Sequence, residues 1–307
     1  MLNVTGLRKE FAAVVAVDGV SFEAGNGEVF GLLGPNGAGK TTTIRMILNI
    51  LVPDGGSVTY DGKPFSDEVR NHIGYLPEER GLYRKSKLLD TIVYFAGLRG
   101  MKRAAAKAEA MRWLTRFSLE AFRDRKVEEL SKGNQQKVQF VCAIIHDPSI
   151  VILDEPFSGL DPVNQILFKD IFHELRAAGK TVVFSTHQMD QAERLSDTLC
   201  LINRGRVILG GTVRDVKRRY GTNSLHVEFS GDGAFMNVLP GVRRALLYGN
   251  AAELELEPGA KVQALLGAMN GKIDISKFEL VEPSLQSIFI QTVGDSNAAA
   301  PPPVEAS

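Results

Sequence analysis

Residues Gly34 to Thr42 read GPNGAGKTT, and Gly34 to Thr41 fit the pattern G-x-x-x-x-G-K-[ST] in full. The preceding run, GEVFGLLG, reads as a short apolar strand. The following run, Thr41 to Leu51, carries Ile44, Ile47, Leu48 and Leu51 at helical spacing, and Pro53, Gly55 and Gly56 stop it. A strand, a glycine-rich loop and a helix in this order form a phosphate-binding loop. Glycines let backbone N–H groups turn inward and approach phosphate oxygens closely. The helix N-terminus adds partial positive charge. Gly34, Pro35, Asn36, Gly37, Ala38, Gly39, Lys40, Thr41 and Thr42 are therefore candidate binding residues. Lys40 is placed to reach the β- and γ-phosphates of a nucleoside triphosphate, and Thr41 to present its hydroxyl to Mg2+.

The pattern around this loop predicts an α/β core. LNVTGL and AVDGVSFEA read as strands with tight turns, an antiparallel β subdomain at the start of the chain. Leu88 to Arg99 and Arg103 to Phe117 read as helices, part of a helical insertion over about 87–145. Helix Asn134 to His146 leads to strand Ile150 to Leu153, and helix Val163 to Ala178 to strand Thr181 to Ser185. Alternating helices and buried strands imply a largely parallel sheet with helices packed on it. After about Tyr220 the pattern changes. Leu225, Val227 and Phe229 alternate as a strand, as do Leu254 and Leu256. Lys261 to Met269 and Ser284 to Thr292 read as helices around a strand from Ile273 to Leu280. The expectation is an ATP-binding domain over 1–220, a small α+β domain over 221–293, and a disordered tail over 294–307 with the run DSNAAAPPPVEAS.

Composition narrows the function classes. The formal net charge is zero, with 36 basic and 36 acidic residues, which argues against a nucleic-acid binder. Cys142 and Cys200 sit in apolar runs without paired Cys/His spacing, and read as reduced core residues. MLNVTGLRKEF has no signal-peptide core, and apolar runs such as Phe140 to Ile145 are far shorter than the roughly 20 residues a membrane helix needs. Any membrane role must then come through a partner.

IVILDEP, Ile150 to Pro156, is an apolar strand ending in two acids. Asp154 is a candidate Mg2+ carboxylate and Glu155 a candidate general base for an attacking water. With these residues the chain resembles an ABC-transporter ATP-binding subunit over 1–220. LSKGNQQK, Leu130 to Lys137, is similar to that family's LSGGQ signature; SGLD, Ser158 to Asp161, matches its D-loop; His187 in STHQMD matches its switch histidine. Phe11 falls where the family carries an aromatic that stacks on adenine. The resemblance implies two ATP-binding subunits, in a homodimer or heterodimer, that sandwich two ATP molecules. Lys40, Thr41, Asp154, Glu155 and His187 would serve from one chain, and Ser131 with Gly133 from the other, with Asp161 beside them. Each also has a local reading: Ser131 as a helix cap, Asp161 as a turn acid before Pro162, Phe11 as a core aromatic and His187 as a structural histidine.

Two departures stand out. The family's usual Gln after the IGYLP strand is Glu78 here, which still suits Mg2+ but does not donate a hydrogen bond when ionised. In the signature, Lys132 replaces Gly and Asn134 replaces Gln. LPEERGLY and the ending VEPSLQSIFI resemble ABC-2-type exporters of the sodium-export-like group, in which the C-terminal domain is an accessory module. The resemblance implies a multispan membrane permease docked near Glu78 to Tyr83, a place on the cytoplasmic face of the membrane, and an exporter's ATPase. A soluble ABC ATPase of translation or DNA repair is the competing reading, disfavoured by the single phosphate loop and the lack of coiled-coil heptads. A non-catalytic nucleotide sensor is a third, disfavoured by Glu155 and His187.

Overall fold

The computed structural model describes residues 1–12, 14–79, 81–220, 224–257 and 259–298. Strands β1 (Leu2–Phe11) and β2 (Val14–Ala24) form an antiparallel hairpin. Strand β3 (Val29–Leu33) is buried along its whole length and leads through the phosphate loop into helix α1 (Lys40–Ile47). Strands β4 (Gly55–Tyr60) and β5 (Lys63–Pro64) then extend the hairpin into a four-stranded sheet of order β2-β1-β4-β5. Helix α1 is shorter than its apolar spacing predicts. Asn49 takes a left-handed φ of 53°, and the amides of Ile50 and Leu51 both bond back to Arg45 O, so the chain turns well before Pro53.

The chain continues through α2 (Asp67–Asn71), β6 (Ile73–Leu76), α3 (Leu88–Leu98), α4 (Arg103–Arg116), α5 (Lys132–Ile144), β7 (Ile150–Asp154), α6 (Pro162–Ala177), β8 (Thr181–Thr186), α7 (Met189–Leu195), β9 (Thr198–Asn203) and β10 (Arg206–Thr212), and strands β6 to β10 join β3 in a second sheet. Its order is β10-β9-β3-β8-β7-β6. The pairs β6–β7, β7–β8, β8–β3 and β3–β9 are all parallel. Strands β3, β7 and β8 are buried throughout, as the continuous apolar runs of a two-sided parallel sheet require. Strands β9 and β10 lie beyond those the sequence patterns pick out; TLCLIN, with buried Cys200, is an apolar run too short to tell strand from helix.

Phenylalanines pack the helices onto this sheet. Phe140 of α5, Phe168 and Phe172 of α6, and Phe184 of β8 are fully buried. The Phe140 and Phe168 ring centroids lie 4.5 Å apart, and Phe117 and Phe157 close the cluster. Helix α5 starts at Lys132, two residues before the expected Asn134, because the Ser131 side chain accepts the Asn134 N–H and caps it. At its far end His146 is anchored to the sheet by Nε2, 3.3 Å from Ile73 O, while Nδ1 is buried with no partner among the described residues. Burial, and then the charge of Arg99, push the His146 pKa down to about 4.

The chain divides into two compact units between Gly210 and Gly211. The sequence pattern places the change at Tyr220, because the Thr212-capped helix α8 (Val213–Arg219) reads as a continuation of the first domain. The second unit holds α8, β11 (Ser224–Ser230), β12 (Val242–Tyr248), β13 (Ala251–Leu256), α9 (Val262–Met269), β14 (Asp274–Val281) and α10 (Leu285–Ala298). Its sheet has order β12-β13-β11-β14 with antiparallel pairs β12–β13, β13–β11 and β11–β14. The core comprises Leu225, Val227, Phe229, Leu254 and Leu265 among others. Helix α10 runs past Thr292 to Ala298 and takes in the first residues of the expected tail; 299–307 fall outside the described residues.

Phe168→Ala removes a ring from the centre of the phenylalanine cluster, and we expect it to lower stability by about 3–5 kcal/mol in denaturant unfolding. Val163→Ala, at an exposed position on the same helix, should cost less than about 0.5 kcal/mol. His146 is charged in the unfolded chain below its usual value of 6.5 but stays neutral in the fold down to about 4. The unfolded state therefore binds more protons between these values, and stability falls as pH drops through that window. Urea midpoints at pH 7 and pH 5 should differ less in His146→Gln than in the parent.

Candidate nucleotide-binding site

The four parallel strands β6, β7, β8 and β3 end at one edge of the sheet, where ligands of open α/β sheets bind. Register makes the ends coincide: Leu33 pairs with Thr186, Asp154 with Ser185, and Leu76 with Leu153. The segments that leave these ends carry Gly34 to Thr42, His187, Glu155 and Glu78.

Glycine is obligatory at two places in the loop. Gly34 has φ 153°, and a Cβ there would stand 2.2 Å from Ile202 O. Gly39 caps α1 with φ 103°, and a Cβ there would stand 2.5 Å from Ala16 O. The loop thus wraps tightly against strand β2 and the end of β9. Ala38 O accepts the Gly205 N–H, and Gly205 O accepts that of Asp18, so the β9–β10 turn braces the loop from behind.

Lys40 is buried at the first turn of α1. Its Nζ donates to Gly34 O at 2.8 Å and Pro35 O at 3.2 Å, and lies 3.6 Å from Glu155 Oε1. Glu155 Oε1 is also 2.9 Å from Nδ1 of the half-exposed His187. One carboxylate oxygen therefore links the phosphate-loop lysine to the histidine after β8. Neighbouring residues of a strand point to opposite faces, so Asp154 and Glu155 should diverge. A left-handed φ of 48° at Glu155 ends the strand and turns its side chain back to the loop.

Asp154 is fully buried. Its Oδ1 accepts the Ser185 hydroxyl, and Ser185 Oγ in turn accepts the Glu155 N–H at 3.0 Å. Asp154 Oδ2 has no partner among the described residues. Tyr75 on neighbouring β6 has its hydroxyl pKa pushed up to about 12 by burial and by the charge of Asp154. Glu78 is exposed and stands across the loop, accepting the Thr41 hydroxyl at 3.4 Å. The segment that carries it is held by Gln139 of α5, whose Nε2 donates to Pro77 O and Glu79 O.

A cavity of about 200 Å3 opens here, lined by Asn36, Gly37, Gly39, Lys40, Thr41, Thr42, Glu78 and Glu155, with Ala16 of β2 at its rim. Phe11, at the exposed end of β1 with Lys9 Nζ 5.7 Å from its ring, lies outside these lining residues. Ser131, Gly133 and Asp161 lie outside them as well. Ser131 caps α5, and Asp161 caps α6 by accepting the Asn164 N–H at 2.9 Å, a bond that holds its carboxyl below the usual range. Lys132 is exposed. Gln136 of α5 donates to Pro156 O, which ties the signature helix to the turn after Glu155. Two residues at the site carry no motif signal: Ala16 is an unremarkable small residue, and Gln139 lies in the signature helix far from the loop in sequence. Ser185 opens the STHQMD run, but only His187 of that run carries a reading from the motif.

The donor set fits a divalent cation. Asp154 offers a buried oxygen without a partner, and the Thr41 hydroxyl and the Glu78 carboxylate face each other. Among the described residues no group of three or more His, Cys, Asp or Glu gathers in metal-binding geometry.

A larger cavity of about 860 Å3 lies on the helical insertion, lined by Tyr83, Asp90, Tyr94, Leu98, Met101 and Arg103 among others. The rings of Tyr83 and Tyr94 meet edge to face at 5.4 Å, and both are about half exposed. Among the described residues no helix is long and apolar enough to cross a membrane.

Comparison with known proteins agrees with this architecture. Residues 17–158 match the family model for ABC transporters, and residues 211–293 match the C-terminal domain of DrrA1-3-like ATP-binding proteins. An uncharacterized ABC transporter ATP-binding protein, YhaQ of Bacillus subtilis strain 168, is 42% identical over 294 residues, covering 96% of this chain and 99% of the relative. Nod factor export ATP-binding protein I of Rhizobium sp. strain N33 is 32% identical over 300 residues, covering 95% and 97%. A solved ATP-binding subunit of an ABC transporter superposes with a TM-score of 0.67 at 33% identity, over 72% of this chain and 93% of its own. A phosphate loop, an Asp-Glu strand end and a histidine gathered at one sheet edge, in a chain matched to such relatives along nearly its whole length, place the protein among the ATP-binding ATPase subunits of the ABC transporter family.

Proposed function

We propose that this subunit hydrolyses ATP to drive an ABC-2-type exporter, with Glu155 as the general base. The observation that carries the reading is the contact of one Glu155 oxygen with both Lys40, at 3.6 Å, and His187, at 2.9 Å, beside the phosphate loop. Lys40 and the loop amides bind the phosphates. Glu155 takes the proton of the attacking water, and His187 orients that water and meets the γ-phosphate. Thr41, Asp154 and Glu78 are the residues that would hold Mg2+. The cation, when bound, neutralises charge on the phosphate oxygens. Phe11 lies on the exposed hairpin end, where an adenine ring has access to its face.

The placement of Ser131, Gly133 and Asp161 supports a shared site. They cap or flank helices and lie outside the residues that line the cavity at the phosphate loop, and an exposed helix N-terminus with a Ser hydroxyl and a Gly is an anion site that a second subunit can use. The aromatic cavity around Tyr83 and Tyr94 suits a membrane-spanning partner, and with such a partner the subunit works at the cytoplasmic face of the membrane. Export rests on the likeness to Nod factor export ATP-binding protein I.

Glu155→Gln keeps the size of the side chain and removes the base. It should leave ATP affinity within about threefold, lower turnover by at least about a hundredfold, and accumulate ATP-bound dimers in size-exclusion chromatography. Normal turnover in this variant would remove Glu155 from the role. The site is assembled wholly from residues before Gly210, so a chain ending at Thr212 should bind a fluorescent ATP analogue with the affinity of the full chain. A folded truncation that no longer binds would place part of the site in the second unit.

A further inference from the structure

Ser185 is fully buried at the end of β8, directly opposite Asp154 in the parallel ladder. A hydroxyl has a single proton, and an ionised carboxylate accepts only. The Ser185 proton is therefore committed to Asp154 Oδ1, and its oxygen is free to accept the Glu155 N–H. The two bonds act on adjacent residues with different tasks. The first restrains the Asp154 carboxylate and occupies one oxygen, so that Oδ2 alone is left without a partner. The second holds the backbone at the residue whose left-handed φ of 48° swings Glu155 toward Lys40 and His187. β7 ends in Asp154 with Glu155 as the next residue, and β8 contributes the hydroxyl that bonds to both.

We infer that Ser185 is the positioning residue of the cation site: its hydroxyl aims Asp154 Oδ2 at Mg2+ and couples that carboxylate to the backbone of Glu155. The inference rests on the reading of Asp154 as a Mg2+ carboxylate. Ser185 touches neither nucleotide nor cation. Its effect belongs to the outer partners of a metal ligand, whose loss typically weakens metal affinity about 10–100-fold. A hydroxyl buried only for packing has a different signature. Its removal leaves the cation dependence of nucleotide binding unchanged and shows only as lower stability.

The test is a titration of Mg2+ into the full-length protein carrying Glu155→Gln, with a fluorescent ATP analogue as probe, so that binding is read without hydrolysis. Ser185→Ala removes the hydroxyl, Ser185→Cys keeps its volume with a much weaker donor, and Ser185→Thr keeps the hydroxyl. In EDTA all four proteins should bind the analogue within about twofold of one another. The half-saturating Mg2+ concentration should rise about tenfold or more in the Ala and Cys variants and stay within about threefold in the Thr variant. Ala and Cys variants with the parent's Mg2+ dependence overturn the inference. A shift of equal size in all three variants overturns it too, because it assigns the effect to packing. A parent whose analogue binding ignores Mg2+ altogether defeats the cation reading of Asp154 itself, and with it the basis for the inference.

Discussion

Parallel pairing of β3 with β8 and of β8 with β7 sets Leu33 against Thr186 and Asp154 against Ser185. Everything chemical in the first unit depends on that register. Parallel strands share a direction, so their carboxyl ends fall at one edge, and each end hands its next residue to the same space. A slip of one residue in β7 would turn the Asp154 side chain to the opposite face of the sheet. The register is held by burial on both faces, since β3, β7 and β8 expose no residue to solvent.

The site built on this edge is crowded with backbone. Gly34 and Gly39 give way to carbonyls of Ile202 and Ala16 at distances no Cβ tolerates. The loop is thus shaped by β9 and by the hairpin strand β2 as much as by its own residues. The same closeness explains why Ala16 lines the cavity and why the β9–β10 turn matters to a loop far from it in sequence. Lys40 sits in this dense shell with two loop carbonyls and one carboxylate as neighbours, a setting that orients its ammonium without leaving it unpaired.

The two units differ in how they use their sheets. The first gathers its candidate site side chains at strand ends, and the second packs an apolar core of Leu225, Val227, Phe229 and Leu254 with Leu265 and Met269 of α9. In the second unit Glu253 accepts from Ser284, and Glu255 from Arg243 and Gln291. The bonds from Ser284 and Gln291 tie α10 and the segment before it to β13.

The phosphate loop, the Asp-Glu strand end, the histidine after β8 and the helices around them were legible in the sequence, because each is a local pattern: glycines at fixed spacing, an apolar run that stops at acids, a helical period. Local patterns also set their own limits. TLCLIN of β9 is an apolar run that fits strand or helix, β10 and β12 mix polar and apolar residues without a clean period, and helix α1 ends at a left-handed Asn49 that spacing does not announce. The sequence alone determined which residue types meet a triphosphate and in what order they follow along the chain. Only the tertiary structure decided that Glu155 turns back to Lys40 through a left-handed backbone, that Asp154 keeps a single oxygen unpartnered, and that Ser185 holds both. Those outcomes depend on which strand lies beside which and in what register, and such pairing between distant segments leaves no local signature in the residues that make it.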